Sequence, residues 1–134
     1  MTAIDKVAWL HVVEGRVLAA RSAGKDTWYL PGGKRESGES DVETLVREIA
    51  EELSVALVPS TARLAGVWAA QAHGRADGVL VRMTCYTAGY TGELRASSEI
   101  ESIGWLSHAE RDQVSPAVGL ILDELHARGE LATC

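Results

Sequence analysis

Three glutamates on one predicted helix are the residues of this chain best suited to chemistry. Glu48 precedes Glu51 and Glu52 by three and four positions, so a helical turn of about 3.6 residues places all three on one arc. Like charges at these spacings destabilise an isolated helix by roughly 0.2–0.5 kcal/mol per pair. A hard dication would explain the cluster, because Mg²⁺ and Mn²⁺ prefer oxygen ligands. A solvated acidic face explains it equally well, so the helix alone leaves both interpretations open.

The segment that carries these acids has the sequence of an amphipathic helix beginning at Ser40. The Ser40 hydroxyl can cap the first turn, and Glu43, three residues later, completes a capping box. Pro59 lies shortly after the expected end of the helix. Apolar residues recur on one helical face: Val42, Leu45, Val46, Ile49 and Leu53. The sequence therefore predicts a helix whose apolar face is buried and whose glutamates point away from the core.

Apolar runs on both sides of this helix predict β-strands. Glu14-Gly15 separates the first two runs as a hairpin turn. Ser115-Pro116 predicts the start of a second helix, capped by the Ser115 hydroxyl and ended by Gly129. The predicted strands cover residues 4–13, 16–20, 64–72, 79–87 and 100–106. This order of strands, helix, strands and helix predicts an α/β fold with a mixed β-sheet between helices.

The charge of the chain is acidic and unevenly distributed. Its formal net charge is −6, and residues 41–52 hold five acids against one base, Arg47. Such a surface repels a phosphate backbone, which argues against stable binding of DNA or RNA. A small anionic molecule can still bind where a cation bridges it to the acids. The charge therefore predicts either a metal site or a surface with no binding role.

The cysteines and the apolar segments narrow the class of protein. Neither Cys85 nor Cys134 lies near a second cysteine or a histidine at zinc-site spacing, and Cys85 falls in an alternating run typical of a core strand. The N-terminus has no signal-peptide pattern, and no apolar run is long enough to cross a bilayer. The sequence predicts a cytoplasmic protein that forms a single domain over residues 1–134.

The loop and helix between residues 33 and 55 resemble the Nudix box, G-x5-E-x7-R-E-U-x-E-E-x-G-U, in which U is an aliphatic residue. Eight of its nine fixed positions match: Gly33, Glu39, Arg47, Glu48, Ile49, Glu51, Glu52 and Val55. Ser54 stands where the family has glycine. A left-handed residue at the helix end costs serine about 1 kcal/mol, but this departure leaves every acid of the box in place. The order of elements is also similar to the Nudix α/β/α sandwich.

The resemblance implies a metal site built on the three glutamates. Glu48, Glu51 and Glu52 would bind Mg²⁺ or Mn²⁺, and in many members the backbone carbonyl at the position of Gly33 adds a ligand. In many members the glutamate at the position of Glu51 or that of Glu52 also helps to deprotonate water. The number of metal ions stays open.

Three further residues are expected around this trio. Arg47 and Glu39 would form a salt bridge that holds the loop and the helix in register without contacting substrate. Glu99 precedes Trp105 in a segment similar to one that supplies the general base in some members. Glu99 is therefore a candidate base beside the glutamates of the helix, and the choice among them stays open.

The resemblance implies a metal-dependent enzyme that hydrolyses a phosphoanhydride bond in a nucleoside di- or triphosphate derivative. Members that favour ADP-ribose or dinucleoside polyphosphates tend to carry Pro or Tyr downstream of the box, and segment 68–73 has neither. This favours nucleoside triphosphates and leaves NDP-sugars open. Many relatives form homodimers, which this sequence neither predicts nor excludes. Two alternatives remain, a Nudix-fold sensor that binds a nucleotide without cleaving it and an interaction domain with a merely solvated acidic helix.

Other side chains are weaker candidates for contact with a substrate. Arg21, Arg35 and Arg82 are cations that could contact phosphates. Trp28, Tyr29 and Trp68 are aromatic rings that could stack on a base. Ordinary surface positions for the cations and packing roles for the rings are the favoured interpretation. The four histidines are scattered without partner spacing and are expected to be structural or exposed.

Overall fold

A computed structural model describes residues 3–133 of the chain. Its elements follow the predicted order of strands and helices. In this described part, the strands are β1 (Ala3–Trp9), β2 (Val12–Val13), β3 (Arg16–Ser22), β4 (Gly32–Gly33), β5 (Ala56–Leu57), β6 (Arg63–Gln71), β7 (Leu80–Thr87), β8 (Tyr90–Thr91) and β9 (Ile100–Leu106). The helices are α1 (Asp41–Leu53) and α2 (Pro116–Ala127), with short 3₁₀ turns at Pro59–Thr61 and His108–Gln113.

The central sheet has the strand order β4-β1-β7-β6. β1 runs parallel to β7, with Lys6 opposite Met83. β4 is antiparallel to β1, and β6 is antiparallel to β7. A second sheet has the order β2-β3-β9, and β5 pairs with β8. The sheet that lies between the helices is therefore mixed, as predicted.

The two helices pack on opposite faces of the β1–β7 pair. Val7 and Trp9 of β1 belong to the core that buries the apolar face of α1. Ala8 and the following Leu10 belong to the core that buries α2. The buried helix residues are Leu45, Ile49 and Leu53 on α1, and Ala117, Val118, Ile121, Leu122 and Leu125 on α2. This arrangement confirms the predicted α/β/α sandwich.

The predicted strand over residues 4–13 is divided between two sheets. After β1, the Leu10 N–H donates to the Tyr86 carbonyl at 2.8 Å. The His11 carbonyl then accepts from the Leu18 N–H of β3 at 2.9 Å. The chain therefore leaves the central sheet after Leu10 and joins the second sheet at His11. A continuous apolar run does not mark this change of partner, because residues on both sides of it are equally suited to a strand.

Local turn and cap signals agree with most of the predictions. Glu14 and Gly15 have φ angles of 52° and 76°, as a tight hairpin turn requires. Ser40 and Glu43 form both hydrogen bonds of the predicted capping box. The prediction that the Ser115 hydroxyl caps α2 is wrong, since it makes no capping hydrogen bond. Pro116 at the first position already removes one of the N–H groups that a cap would satisfy.

Of the two cysteines, one lies within the described residues, and its predicted burial can be compared with the structure. Cys85 is fully buried, as its alternating run predicted, and burial raises the pKa of its thiol to about 12. Cys134 lies outside the described residues. Within residues 3–133, neither helix has the length and apolar character needed to span a bilayer.

Candidate active site

Two glycines bring the loop before α1 into contact with the helix. Gly33 lies opposite Val7 in the β4–β1 ladder. Gly32 has a φ of 150°, and a Cβ added there would lie 2.0 Å from the Val7 carbonyl oxygen. A Cβ added to Gly33 would lie 2.5 Å from the carboxyl carbon of Glu48. Only glycine at position 32 therefore allows the loop to approach the β1 backbone so closely. Gly33 leaves the space beside it to the Glu48 carboxylate, the end of a flexible side chain.

Arg47 and Glu39 tie the same loop to α1. Arg47 Nε donates to Glu39 Oε2 at 2.7 Å, and Arg47 Nη2 donates to Glu39 Oε1 at 2.9 Å. The Thr44 hydroxyl and the Glu36 N–H also donate to Glu39 Oε1, each at 2.8 Å. The hydrogen bonds from Arg47, followed by those from Glu36 and Thr44, lower the pKa of Glu39 to about 2. The structure thus places Arg47 and Glu39 in an ion pair that joins loop and helix.

Glu48 and Glu52 form a carboxylate pair beside Gly32 and Gly33. Glu48 accepts a hydrogen bond from Arg47 Nη1 at 2.8 Å, and 18% of its side chain is exposed. The Gly32 N–H donates to Glu52 Oε1 at 3.4 Å. Burial raises the pKa of Glu52, and the hydrogen bond and charge of Glu48 raise it further. Two ionised carboxylates so placed repel each other, and a cation between them would relieve this repulsion.

Glu51 is the most exposed of the three glutamates. Its side chain is 55% exposed, and its Oε2 lies 3.8 Å from Arg47 Nη1. Among residues 3–133, no three His, Cys, Asp or Glu side chains are gathered closely enough to hold a metal ion. The donor chemistry still fits a hard dication, because carboxylate oxygens border the space that a Cβ on Gly33 would fill.

A cavity of about 490 Å³ opens beside the trio, a volume within the range of small-molecule sites. Gly33 and the three glutamates line one side of it, and Glu99 lines it as well. Residues of β1 and β7 form another wall: Ile4, Lys6, Val7, Ala8, Val81 and Met83. The fold therefore brings Glu99 from the start of β9 to the same cavity as the acids of α1.

The other arginine candidates lie away from this cavity and are engaged elsewhere in the described structure. Arg82 donates to both oxygens of Asp5 at 2.8 Å, and Arg35 donates to Asp41 at 2.7 Å. Arg21 donates to Ser102 at 3.2 Å and stacks over the Trp28 ring at 5.2 Å. These contacts agree with the interpretation of Arg35 and Arg82 as ordinary surface cations. Arg21 departs from it, because it is partly buried and its Nε is enclosed without a hydrogen-bond partner among the described residues.

The aromatic candidates divide between the cavity and the protein interior. Tyr29 lines the cavity. Trp28 packs beside Gly104, where an added Cβ would lie 3.0 Å from its ring, and Trp68 packs against the α2 core. Packing is therefore the role that the structure shows for the two tryptophans.

Three basic residues line the cavity without having been site candidates from the sequence: Lys6, Lys25 and His73. His73 is exposed just beyond β6, and its Nε2 lies 3.3 Å from the Thr27 hydroxyl. This contact between distant loops leaves no local signal. Lys6 does leave one, because it is a single cation inside the apolar run of the first predicted strand.

Comparison with known proteins gives a family and a close relative in sequence. The sequence model described as the NUDIX domain matches residues 5–122. A MutT-like protein from Streptomyces ambofaciens is 33% identical over 118 residues, which cover 87% of this chain and 72% of that protein. The matched region includes all of α1, the first part of α2 up to Leu122, and every strand from β1 to β9 in whole or in part.

Solved structures show the same fold. The E. coli ORF135 protein is 27% identical with a TM-score of 0.73, and the alignment covers 95% of this chain and 91% of that one. A MutT NUDIX hydrolase from Burkholderia pseudomallei is also 27% identical, with a TM-score of 0.71 and coverage of 93% and 99%. The similarity therefore extends over nearly the whole described chain rather than over the loop and helix alone.

Proposed function

This chain belongs to the NUDIX domain family and is a hydrolase of phosphoanhydride bonds, and we propose that it cleaves nucleoside triphosphates in the presence of Mg²⁺ or Mn²⁺. The observation that carries the proposal is the position of the Glu48 carboxylate, in the space that a Cβ on Gly33 would fill, with Glu52 beside it. Nucleoside diphosphate derivatives, including NDP-sugars, contain the same type of bond and belong to the same proposal.

The cation would be bound by carboxylates of α1 together with the loop that contains Gly33. Glu48, Glu51 and Glu52 would supply carboxylate oxygens, and Gly33 would supply its carbonyl oxygen. Bound Mg²⁺ or Mn²⁺ supplies charge neutralisation for the phosphates and lowers the pKa of coordinated water. Arg47 acts as a positioning residue, since one nitrogen donates to Glu48 while two others donate to Glu39.

Glu99 is proposed as the group that accepts a proton from the attacking water. It lines the cavity from the residue directly before β9, outside α1, so it can face the substrate independently of the cation ligands. The change Glu99→Gln should lower turnover by roughly a hundredfold or more. Glu101→Gln is the matched control, because Glu101 is an exposed acid of β9 that does not line the cavity. Equal turnover in the two variants would transfer the role of base to Glu51 or Glu52.

The preference for nucleoside triphosphates rests on sequence similarity and on the cavity. The chain is similar to a MutT-like protein and to MutT NUDIX hydrolase structures. Segment 68–73 lacks the Pro or Tyr that the ADP-ribose and dinucleoside polyphosphate members tend to carry. Val81, Met83 and Tyr29 give the cavity apolar and aromatic surface suited to a base.

A substrate panel tests the proposal directly. Nucleoside di- and triphosphates, oxidised nucleoside triphosphates and NDP-sugars would be incubated with Mg²⁺ or Mn²⁺, and phosphate or pyrophosphate release would be measured. We expect release that requires the metal and is lost by orders of magnitude in Glu52→Gln, with an unchanged circular dichroism spectrum. Near wild-type release by Glu52→Gln would contradict the assignment of the trio. Nucleotide binding without any release would instead favour a sensor.

A further inference from the structure

Lys6 is the one cation of β1, where it follows Asp5 and precedes three apolar residues. The residues that follow it, Val7, Ala8 and Trp9, are all buried. Side chains alternate between the two faces of a strand, so Lys6 shares a face with Ile4 and Ala8, and all three line the cavity. An apolar side chain at this position would be buried without the cost of desolvating a charge. The presence of lysine here therefore calls for a role that an apolar residue could not perform.

The Lys6 ammonium has no ion-pair partner in the part of the chain that the structure describes. Burial lowers the pKa of Lys6, and the charge of Lys34 lowers it further, while Glu52 and Glu48 act in the opposite direction through their charges alone. The two glutamates thus influence Lys6 without a hydrogen bond to it. A partly buried charge without a partner destabilises a fold, and an anion in the cavity would compensate for it.

The position of Lys6 in the sheet places it next to the acidic side of the cavity. Lys6 directly precedes Val7, the residue that pairs with Gly33. On β7 it lies opposite Met83, which forms part of the apolar wall. Lys6 is therefore located where the side that would hold phosphates adjoins the side that would hold a base.

The cavity is lined by more acidic than basic residues, which makes the position of Lys6 relevant to the binding of an anion. Four acids line it, namely Glu48, Glu51, Glu52 and Glu99, against two lysines, Lys6 and Lys25. Lys25 is exposed on a loop, whereas Lys6 is partly buried on a central strand. A polyanion that enters such a cavity needs cationic contacts of its own besides any bound metal. Of the two lysines, Lys6 is therefore the one whose backbone is fixed by strand pairing on both sides of β1.

We propose that Lys6 binds an oxygen of the phosphate nearest the nucleoside and thereby holds the nucleotide in register with the carboxylate trio. This inference rests on the proposed function and specifies one contact within it. An ammonium group supplies three donors and a full positive charge, which match a phosphate oxygen better than any uncharged side chain at this position would. The contact would persist in the nucleoside monophosphate, because that phosphate stays with the nucleoside after cleavage.

Binding of products without metal separates this contact from catalysis. The dissociation constants of GMP, CMP, guanosine and cytidine would be measured by calorimetry in EDTA for the wild type, Lys6→Met and Lys6→Arg. We expect the wild type to bind each monophosphate more tightly than its nucleoside. Lys6→Met should weaken monophosphate binding roughly ten- to a hundredfold and leave nucleoside binding unchanged. Lys6→Arg, which keeps the charge, should retain most of the preference.

An arginine outside the cavity provides the control for net charge. Arg63 is exposed on β6 of the same sheet and does not line the cavity. The variant Arg63→Met removes one positive charge as Lys6→Met does, but it should leave the preference for monophosphates unchanged. An equal loss in both variants would show a general charge effect and overturn the proposal.

Three further outcomes would contradict the role of Lys6. The wild type could show no preference for monophosphates over nucleosides. Lys6→Met could weaken both ligands equally, as a change in packing would. It could also change Mn²⁺ affinity alone, which would show that Lys6 acts on the glutamates rather than on a phosphate. If the wild type hydrolyses the panel in any of these cases, the proposed function stands and only the Lys6 contact fails.

Discussion

Helices α1 and α2 cover the same pair of strands from opposite faces, yet the pKa of an acid on each helix is shifted in opposite directions. On α2, Asp123 accepts hydrogen bonds from Arg111 at 2.8 Å and contacts His108 at 2.9 Å, and these partners lower the pKa of Asp123 to about 2. On α1, burial and the neighbouring Glu48 raise the pKa of Glu52. One helix thus pairs its acid with cations, and the other concentrates acids beside a cavity.

The C-terminal ends of the two helices also differ in charge. The last turn of α2 contains His126, a residue that can carry positive charge where the helix dipole favours it. The last turn of α1 contains no basic residue, and the helix ends on Ser54 in the left-handed region at φ 62°. At the N-terminal ends the order is reversed, since α1 has the capping box of Ser40 and Glu43 while the Ser115 hydroxyl makes no cap on α2. The acids and the missing base in the last turns of α1 fit the binding role proposed for this helix.

The roles of the two helices can be compared by neutralising one acid on each and measuring turnover and stability. Glu48→Gln should lower turnover by at least roughly a hundredfold, because it removes a proposed cation ligand. Its free energy of unfolding should stay close to that of the wild type. The relief of like-charge repulsion, roughly 0.2–0.5 kcal/mol per pair, opposes the weakening of the hydrogen bond from Arg47. Asp123→Asn is the matched control, and it should keep full turnover while losing stability. The two quantities are measured by nucleotide hydrolysis and by urea denaturation, and the reverse pattern would refute the division of roles.

A large-to-small change in α2 should produce the opposite phenotype from Glu48→Gln. Leu122 is completely buried, so Leu122→Ala should lower the free energy of unfolding by about 2–5 kcal/mol through lost burial and a residual cavity. Activity per folded molecule should remain at the wild-type level. Leu120→Ala on the same helix removes a side chain that is 41% exposed, so the change should stay within about 0.5 kcal/mol. Comparable losses in both variants would show that α2 is not the buried element described.

Acid titration tests Glu39, the carboxylate before α1 that accepts hydrogen bonds from Arg47, Thr44 and the Glu36 N–H. The pKa of Glu39 lies at about 2 in the folded protein, below its ordinary value of 4.5. The ionised form therefore stabilises the fold above pH 4.5, and this contribution is lost as the pH falls from 4.5 towards about 2. Glu39→Gln should be less stable than the wild type at pH 7, and the difference should shrink in acid. A difference that is independent of pH between these limits would exclude the ion pair as its cause.

The smallest expected effect concerns the end of α1. Ser54→Gly should raise the free energy of unfolding by up to about 1 kcal/mol, because glycine adopts the left-handed conformation without a steric penalty. Ser54→Ala keeps a Cβ and should bring no such gain. Both variants would be compared with the wild type by thermal denaturation, and stabilisation by alanine equal to that by glycine would assign the effect to something other than backbone strain.

The parts of this molecule that were predictable from sequence are those encoded within a few residues. The capping box of Ser40 and Glu43 and the apolar face of α1 are local, so spacing alone located the helix. The division of the first predicted strand at Leu10 was not predictable, because it depends on hydrogen bonds to Tyr86 and Leu18 from other strands. Hydrophobicity specifies that a segment is buried and leaves its pairing partner open.

The same distinction applies to the site. The trio and its loop lie in one continuous segment, so their spacing carried the resemblance to a known box. Glu99 was found only because a second segment resembled the family. Lys6 and His73 reach the cavity through the pairing of β1 with β7 and the packing of two loops. Cavity walls assembled from distant strands require the three-dimensional fold.

Strand β4 has a consequence for how the molecule behaves in a crowded solution. It consists of two residues, and it occupies the edge of β1 only opposite Val7 and Ala8. An uncovered strand edge is a template for pairing with another chain. The loop that carries Gly32 and Gly33 therefore covers this part of the sheet edge, and the Arg47–Glu39 pair ties the loop to α1. Variants that release this loop should aggregate as well as lose activity, so solubility has to be checked before any loss of turnover is assigned to chemistry.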